Sequence, residues 1–317
     1  MKKSLLLLAL FAVAMSAGAA KLEDGPSADC EGLRIATGPL GKGYSKQFAD
    51  IKKIAGSKLS VCEVTTEGGL DNLNTLSTKG ADVGIVPVDA LRQMAPGDDN
   101  IAALQVVAVL NNNYLHVVTN ANGVTYAGEK KYMGLSKEAD KLVLISRFSQ
   151  LKGATVAATG SAQLLVRQLD KQLSYGMRIV DVSSDAAAFE MVKKGQVLAA
   201  FSVSGWPSGT VGALKQDSGL TLVPFDAPIQ GSYTVKPFSY KKIGAYNVQA
   251  LSVQNVLVTR PFSGMKIQEV SKLKAILSDN LSDLKDGAYE PAWNEIKSLD
   301  SAIDWPKFNG GAAKAKK

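Results

Sequence analysis

The stretch LRIATGPLGKGY, residues 33–44, decides the fold class of this chain. Leu33–Thr37 is a short apolar run typical of a buried strand, and the glycines and proline after it predict a turn. A helix is expected to begin near Tyr44, because the apolar residues between 48 and 54 recur at helical spacing. Strand, glycine-rich turn and helix in this order form the opening half of a βαβ unit.

The same order of elements recurs along the chain. A turn at Glu67–Gly69 opens a second helix, which is expected to stop at Lys79–Gly80, and a comparable stop stands at Lys194–Gly195. The expected short strands are 33–37, 59–64, 83–86, 156–159, 179–182 and 198–203. This alternation predicts two similar α/β lobes rather than one sheet, each lobe a mainly parallel sheet flanked by helices.

Two longer patterns join the lobes. The apolar run 105–119 predicts a strand that passes from the first lobe to the second. A strand over 250–259 and a helix over 266–285 are expected to return and complete the first lobe. We therefore expect lobe 1 to comprise residues 21–118 and 235–317, and lobe 2 to comprise residues 119–234. Residues 120–150 give no readable pattern.

The N-terminus has the layout of a secretory signal. Lys2 and Lys3 precede an apolar run, Leu5–Met15, and small residues follow at Ser16–Ala20. A membrane-spanning helix needs about 20 apolar residues, so this run is too short to span a bilayer and fits a cleavable signal peptide, residues 1–20. Cleavage is expected near Ala19/Ala20, which gives a periplasmic protein that is not membrane-inserted when mature; an uncleaved anchor is the alternative.

The charge balance argues against nucleic acid as a partner. The formal net charge of the whole chain is +7. Lys2 and Lys3 leave with the signal peptide, and Lys314, Lys316 and Lys317 stand on a Gly/Ala-rich tail, so the body of the protein is close to neutral. A nucleic-acid-binding protein would need a basic face or stripe, and the sequence shows none.

Two cysteines, Cys30 and Cys62, are present. An even number of cysteines in an exported protein favours a disulfide, because the compartment outside the cytoplasm is oxidising. Both lie at or near strands that open consecutive βαβ units, so a bridge between them is expected. Two buried free thiols are the alternative.

The sequence offers no catalytic or metal-binding constellation. His116 is the one histidine, and together with two bridged cysteines it cannot complete a zinc shell. The chain has no Gly-x-Ser-x-Gly elbow and no Gly-Lys-Ser/Thr phosphate loop. We therefore expect no enzymatic activity, no metal and no cofactor. His116, in a probable strand, is either structural or near a ligand.

Three turns stand where a helix follows a strand: Gly41–Tyr44, Gly68–Leu70 and Gly160–Ala162. The first N–H groups of such a helix are unpaired and face outward, so these turns either bind an anion or are merely tight turns. Lys42 either adds a positive charge to this site or is solvated. The candidate ligand-binding residues at the turns are Gly41, Lys42, Gly43, Tyr44, Gly69, Leu70, Gly160, Ser161 and Ala162.

With these turns placed, the sequence resembles the TAXI family, the solute receptors of tripartite ATP-independent (TRAP-type) transporters. The likeness extends, with gaps, over most of residues 33–260. The stretches that carry it are IATGPLGKGY (35–44), TTEGGLDNL (65–73), GADVGIV (80–86), YLHVV (114–118), LKGATVA (151–157) with Gly160–Ser161, SDAA (184–187) and GWP (205–207).

The resemblance implies a type II periplasmic-binding-protein-like fold, with two lobes joined by hinge strands around a ligand cleft. It implies a small organic anion as ligand, an amino acid or a dicarboxylate such as glutamate or 2-oxoglutarate, and the permease subunits of a membrane transporter as partner. The residues implied to line the cleft are Gly41, Gly43, Tyr44, Gly69, Asn72, Gly160, Ser161 and Pro207. Trp206, next to Pro207 in a stretch that also fits the family, joins the candidates.

Two other functions stay open at this point. The first is an exported receptor of the same fold that serves an ABC importer or a sensor. The second is an exported enzyme with a cryptic site.

Overall fold

The computed structural model describes residues 30–126, 130–131, 136–137 and 139–310. The expected signal peptide, residues 1–20, and the lysines of the tail after residue 310 lie outside the described residues.

The helices and strands follow each other in the order that the sequence predicts, with several additions. The first part of the chain contains β1 (Leu33–Ala36), α1 (Gly43–Ala55), β2 (Val61–Val64), α2 (Gly69–Ser77), β3 (Val83–Pro87), α3 (Val88–Met94), α4 (Asp99–Ala102) and β4 (Gln105–Asn120). The middle part contains β5 (Val124–Tyr126), β6 (Lys130–Lys131), β7 (Ser136–Lys137), β8 (Lys141–Val143), β9 (Thr155–Thr159), α5 (Ala162–Leu173), β10 (Arg178–Val182), α6 (Asp185–Lys193), β11 (Ala199–Gly205), α7 (Gly209–Gly212) and β12 (Leu220–Leu222). The last part contains β13 (Tyr233–Tyr240), β14 (Ala245–Thr259), α8 (Met265–Asp279) and α9 (Leu281–Leu284).

The first lobe is built on parallel strands. Strand β1 pairs in parallel with β2 on one side and with β3 on the other. Helix α1 covers one face of these strands because Phe48, Ile51 and Ala55 are buried on one stripe, while Lys52 and Lys53 face outward. Strand β14 pairs antiparallel with β3, and α8 packs on the same face as α1, so the end of the chain completes this lobe as expected.

The second lobe repeats this plan. Strand β9 pairs in parallel with β10 and with β11. Helix α5 covers one face and α6 covers the other. Helix α6 begins after Ser184, whose side chain accepts a hydrogen bond from the Ala187 amide, the N-cap that the sequence predicts. Residues 120–150, which gave no readable pattern, include the antiparallel pairs β5–β8 and β6–β7.

The two lobes share one hydrogen-bonded sheet, whereas the sequence analysis expected two separate sheets. The strand order is β10-β9-β11-β4-β14-β3-β1-β2, with β12 beside β4 and β13 beside β14. Strands β4 and β14, of 16 and 15 residues, run through both lobes and pair with each other. They therefore serve as the hinge strands, and they make the sheet continuous.

A belt of polar side chains separates the cores of the two lobes. On β4 the first-lobe core ends at Leu110 and the second-lobe core begins at Tyr114. On β14 the corresponding break falls at Gln254–Asn255. The sequence predicts lobe boundaries after residues 118 and 234. Val118 and Tyr233, which lie at these boundaries, both pack in hydrophobic clusters of the second lobe.

The predicted disulfide is present. Cys30, just before β1, is bonded to Cys62 in β2, and the two Cα atoms are 6.2 Å apart. Since β1 and β2 are neighbouring strands, the bridge ties the start of the described chain to the edge of the first lobe.

The long helix expected over 266–285 is interrupted at Asn280. The side-chain amide of Asn280 donates to the carbonyl oxygen of Ile276 at 2.8 Å. A side chain that bonds its own helix backbone offers the chain an alternative to continued helix, so α8 ends there and the single turn α9 follows.

Candidate functional site

A cavity of about 20 Å³, partly open to solvent, lies between the two lobes. The first lobe contributes the starts of α2 and α3, and the second lobe contributes the start of α5. The residues that line the cavity are Leu70, Pro87, Asp89, Ala90, Ser161, Leu164, Leu165, Val203 and Val253. This volume is enough for about one water molecule, so the cavity admits a solute only when the lobes move apart.

The first-lobe wall depends on a close approach of two elements. Gly69 begins α2, and a Cβ atom at this position would lie 2.4 Å from Cδ of Pro87 at the end of β3. Only glycine therefore lets the start of α2 rest against the end of β3. The residues that precede α2 and α3, Gly68 and Pro87, make no side-chain hydrogen bond to the helix N-terminus.

The second-lobe wall is formed where β9 leads into α5. Gly160 makes this turn with a φ of +49°, a left-handed conformation that favours glycine. Ser161 and Leu164 follow on the first turn of α5 and face the cavity, and no side chain caps this helix. Val203 of β11 and Val253 of β14 complete a mostly aliphatic surface.

Asp89, in the first turn of α3, is the one ionisable residue among those that line the cavity. Its Oδ1 accepts a hydrogen bond from the Ala90 amide at 2.8 Å, and its Oδ2 lies 3.0 Å from the Tyr233 hydroxyl. Burial raises the pKa of this carboxyl group, and the hydrogen bonds from Ala90 and Tyr233 partly oppose that shift.

Two neighbouring residues of the second lobe contact α3 across the cleft. The Tyr233 hydroxyl bridges Asp89 and Gln168 of α5, whose Oε1 lies 2.8 Å away. A hydroxyl has one proton, so a Tyr233 hydroxyl that donates to Asp89 cannot also donate to Gln168. The Gln168 amide must then turn its NH₂ group toward the Tyr233 oxygen. Arg92, one turn beyond Asp89, donates to the Ser232 hydroxyl at 2.5 Å. These contacts link the lobes at the edge of the cavity and define a closed arrangement.

The polar belt at the crossover is a closed ring of hydrogen bonds. The Tyr44 hydroxyl donates to Asn255 Oδ1 at 2.8 Å and accepts from the Asn113 amide at 2.8 Å. The Asn255 amide in turn donates to Asn113 Oδ1 at 2.9 Å. Burial raises the pKa of Tyr44 well above its usual value, so this hydroxyl stays protonated. Tyr44, a predicted ligand residue, therefore joins both hinge strands.

A second opening between the lobes, of about 370 Å³, lies at α1 and α7. Lys46 and Glu290 of the first lobe line it, with their charged atoms 3.7 Å apart. Pro207 and Lys242 line it from the second lobe. Trp206 is partly buried beside it and donates from its indole N–H to the Ser239 carbonyl at 3.3 Å.

The structure brings some predicted ligand residues together and separates others. Leu70 and Ser161, from different lobes, line the same cavity. Gly69, Gly160 and Ala162 are their chain neighbours and shape the turns. The exposed residues Gly41, Lys42 and Gly43 form the loop before α1 and are not among the lining residues of either opening.

Asn72 and His116 have structural surroundings. Asn72 is fully buried, and its amide donates to the carbonyls of Thr37 at 2.6 Å and Ile85 at 2.7 Å, which joins the ends of β1 and β3. His116 is fully buried in the second lobe, stacked on Phe238, with Nε2 2.8 Å from the Tyr240 hydroxyl oxygen. Burial lowers the pKa of His116 to about 4, so the imidazole is neutral at pH 7.

The sequence analysis missed the α3 contribution, Asp89 above all. The same rule would have found it, because Asp89 follows a buried strand just as Leu70 and Ser161 do. Glycine marks the other strand-to-helix turns in the sequence, whereas Pro87 stands at this one. Tyr233 and Gln168 lie far apart in the sequence, and no local pattern connects them.

Comparisons with known proteins agree with this architecture at the level of the fold. No protein-family model matches the chain, and no curated protein sequence matches it. The solved structure of Tv2483 bound to L-arginine matches with a TM-score of 0.51 at 12% identity and covers 86% of this chain and 94% of that chain. The chain has a type II periplasmic-binding-protein fold.

Two further solved structures match the chain with lower TM-scores. The amino acid ABC transporter substrate-binding protein AbpA from Streptococcus pneumoniae, bound to L-arginine, matches with a TM-score of 0.49 at 13% identity, covering 83% of this chain and 94% of that chain. A histidine kinase sensor domain with similarity to periplasmic binding proteins matches with a TM-score of 0.48 at 12% identity, covering 85% and 97%. None of the described helices of this periplasmic-binding-protein fold is long and apolar enough to cross a bilayer.

Proposed function

We propose that the protein is an extracytoplasmic solute-binding protein. It captures a small organic acid, an amino acid or a dicarboxylate, between its lobes and delivers it to a membrane transporter without changing it chemically. The observation that carries this proposal is the cavity enclosed by the strand-to-helix turns of both lobes, at Leu70, Asp89 and Ser161. Ligands of open α/β sheets bind at the carboxyl ends of strands, where these turns lie.

The geometry supports binding by closure of the two lobes. Residues of both lobes line the cavity, so a solute admitted by a small opening of the cleft touches both lobes at once and favours a closed form. A ligand shifts such an equilibrium by the difference between its affinities for the closed and open forms. The hinge strands β4 and β14 are the covalent connections between the lobes at the crossover, so domain closure needs only a change in their backbone angles.

The composition of the cavity supports capture rather than catalysis. Its polar side chains are Asp89 and Ser161, and the remaining lining residues are aliphatic or proline. His116, the one histidine available as a general base, is buried in the core of the second lobe beneath Phe238. In the part of the chain that the structure describes, no hydrogen bond joins the Ser161 hydroxyl to a base that would activate it as a nucleophile.

The resemblance to the TAXI family favours a TRAP-type transporter as the partner. Two of the motifs that carry this resemblance are GADVGIV (80–86) and TTEGGLDNL (65–73). They include β3 and the start of α2, which form the first-lobe wall of the cavity. The leader-like residues 1–20 support export to the periplasm, where such receptors meet their permease.

A ligand screen tests the proposal. We expect the mature chain, residues 21–317, to show a raised unfolding temperature with one class of solute among amino acids, dicarboxylates, keto acids, sugars and phosphate. A ligand at 100 times its Kd adds about 2.7 kcal/mol to the free energy of unfolding. Isothermal titration then gives the Kd of each compound that raises the unfolding temperature.

Two tryptophan variants locate the site. Leu164→Trp puts a larger side chain into the cavity, and we expect it to weaken binding at least about tenfold, which corresponds to 1.4 kcal/mol. Lys171→Trp, on the exposed face of the same helix, is the matched control and should bind as the wild type does. Equal affinities in the two variants would exclude the interlobe cavity as the binding site.

A further inference from the structure

The cleft takes up a solute only after the lobes move apart, because the cavity at its centre has room for about one water molecule. Contacts that resist this movement therefore control access to the cleft. One set lies at the edge of the cavity, where Tyr233 meets Asp89 and Arg92 meets Ser232. A second set lies at hinge strand β4 and comes from the C-terminal segment, residues 291–308.

The C-terminal segment belongs to the first lobe and is bonded to the backbone of β4. Leu299 and Phe308 are buried in the first-lobe core. The Val109 amide donates to the Leu299 carbonyl at 2.7 Å, and the Val106 amide donates to the Pro306 carbonyl at 2.8 Å. The Phe308 amide donates back to the Val106 carbonyl at 2.9 Å. The segment therefore lies along the first-lobe half of β4, much as β11 lies along the second-lobe half.

The crossover of β4 contains a bulge. Asn112 pairs with Gln254 of β14. The next pair toward the first lobe is Val109 with Val256, three residues back on β4 but two residues on along β14. The extra residue, within 110–111, interrupts the ladder and bends the strand. This is the place where β4 can absorb the change of backbone angles that domain closure needs.

Glu295 reaches from the C-terminal segment across this bulge. Its Oε2 accepts a hydrogen bond from the Asn112 backbone amide at 3.1 Å, and its Oε1 accepts one from the Tyr114 hydroxyl at 2.9 Å. Tyr114 packs in the second-lobe core. Burial and the charge of Glu295 raise the pKa of Tyr114, so the hydroxyl keeps the proton that it donates. The charge of Glu295 also opposes the lowering of the pKa of Lys236, on β13, by burial.

We infer that Glu295 is a clasp on the hinge: its bonds to Asn112 and Tyr114 hold β4 in the direction that closes the lobes, and they break when the lobes open. Glu295 moves with the first lobe and Tyr114 with the second, so rotation about the bulge separates their oxygen atoms. Hydrogen bonds to a charged acceptor are stronger than neutral ones. A contact made in only one of two conformations shifts their equilibrium by its own free energy. The clasp therefore sets how readily the cleft opens, whichever solute it takes.

Amide hydrogen exchange of the solute-free mature protein tests the clasp. Where exchange reports the open fraction, Glu295→Gln should exchange about tenfold faster at residues 88–92 and 161–168, which form the two walls of the cleft. The buried strands at 33–36 and 155–159, in the cores of the two lobes, should exchange as in the wild type. This comparison separates opening of the cleft from a general loss of stability.

Two further variants identify the bond responsible. Tyr114→Phe removes the hydroxyl and keeps the ring, so it should also speed exchange at the cleft. Adding it to Glu295→Gln should change the rates by less than about threefold, because both substitutions act on one interaction. Asp300→Asn is the matched control. It removes a carboxylate of the same segment that pairs at 2.9 Å with Lys274 of the first-lobe helix α8, and it should exchange as the wild type does.

The clasp is overturned if Glu295→Gln leaves exchange at the cleft unchanged or speeds it equally in the lobe cores. Additive effects of Glu295→Gln and Tyr114→Phe, or an equally large effect of Asp300→Asn, also overturn it. Should Glu295→Gln not fold, Tyr114→Phe alone decides. No solute is present in this experiment, so a ligand screen without a binding solute would count against the proposed function and leave the result for the clasp unchanged.

Discussion

At the residue scale, the structure separates side chains that shape the cleft from those that face it. Asn72 shows the difference. It is buried beside the cavity wall, and its amide joins the ends of β1 and β3 while its Oδ1 accepts a hydrogen bond from the Thr66 hydroxyl at 2.5 Å. Both N–H groups and one acceptor site of this amide are therefore used within the protein, and we expect Asn72 to position the cavity wall rather than contact the ligand.

Replacement of Asn72 should therefore reduce stability and spare affinity. Asn72→Ala leaves the carbonyls of Thr37 and Ile85 without their donor, and buried unpaired groups cost about 1–3 kcal/mol each. We expect the free energy of unfolding to fall by about 2–4 kcal/mol in urea titrations, with a ligand Kd within about threefold of the wild type. Asn74→Ala, exposed on the same helix, is the control. A large loss of affinity with little loss of stability would place Asn72 in the site instead.

The sequence predicted part of this site for a physical reason. Leu70 and Ser161 were found because each follows a strand and a glycine turn, and that position points toward the carboxyl edge of the sheet. Asp89 satisfies the same positional rule without the glycine. His116 could not be assigned from sequence, because its surroundings, Phe238 and Tyr240, come from a strand more than a hundred residues away.

At the element scale, one buried carboxylate ties four elements together on the side of the first lobe away from the cleft. Asp82, 2% exposed, precedes β3. Its oxygens lie 2.9 Å from Arg34 of β1, 3.1 Å from Arg260 after β14, and 3.4 Å from Lys266 of α8. Burial by itself raises the pKa of Asp82, but the hydrogen bonds of Arg34 and the charge of Lys266 outweigh it and lower the pKa to about 2.

This cluster makes the stability of the protein dependent on pH in the acid range. A carboxyl group whose pKa is lower in the folded state stabilises the fold above its unfolded pKa, near 4, and loses that contribution as pH falls toward 2. The contribution at neutral pH is about 2 kcal/mol. In urea titrations, Asp82→Asn should be less stable than the wild type by about that amount or more at pH 7.

The comparison at acid pH identifies the cause. The difference between Asp82→Asn and the wild type should shrink between pH 4 and pH 2, because protonation then removes the same charge from the wild type. Asp181→Asn is the matched control, since Asp181 forms an exposed pair with Arg167 at 2.7 Å and should contribute less than about 1 kcal/mol. A difference for Asp82→Asn that does not change with pH would assign its effect to packing instead of charge.

The helices and strands with a regular hydrophobic pattern were predicted from the sequence. Local exceptions to that pattern explain why strand β13 and the end of α8 were not. The strands and helices with clear repeats, such as β1, α1 and β9, lie within a few residues of their expected bounds. Strand β13 went unpredicted because Pro237 interrupts its pattern, and proline is tolerated there since β13 pairs with β14 alone. The helix break at Asn280 depends on a single side-chain hydrogen bond, which periodicity does not register.

At the scale of the whole molecule, the shared strands β4 and β14 combine two repeated units into one continuous sheet. The sequence predicted the repeat and the crossing strand, because both are local patterns. It could not predict that the sheet is continuous, since hydrogen-bond partners such as Tyr114 and Ser252 are far apart in the chain. Nor could it place the contacts across the cleft, which depend on how the two lobes meet.

Amide hydrogen exchange with and without solute tests the central claim, binding between the lobes, most directly. It is measured on the mature protein with the standard L-amino acids as probes and followed by mass spectrometry of peptides. The account predicts that a binding amino acid slows exchange at two separate places, residues 88–92 of the first lobe and residues 161–168 of the second. Slower exchange confined to one lobe, or unchanged exchange with every amino acid, would contradict it.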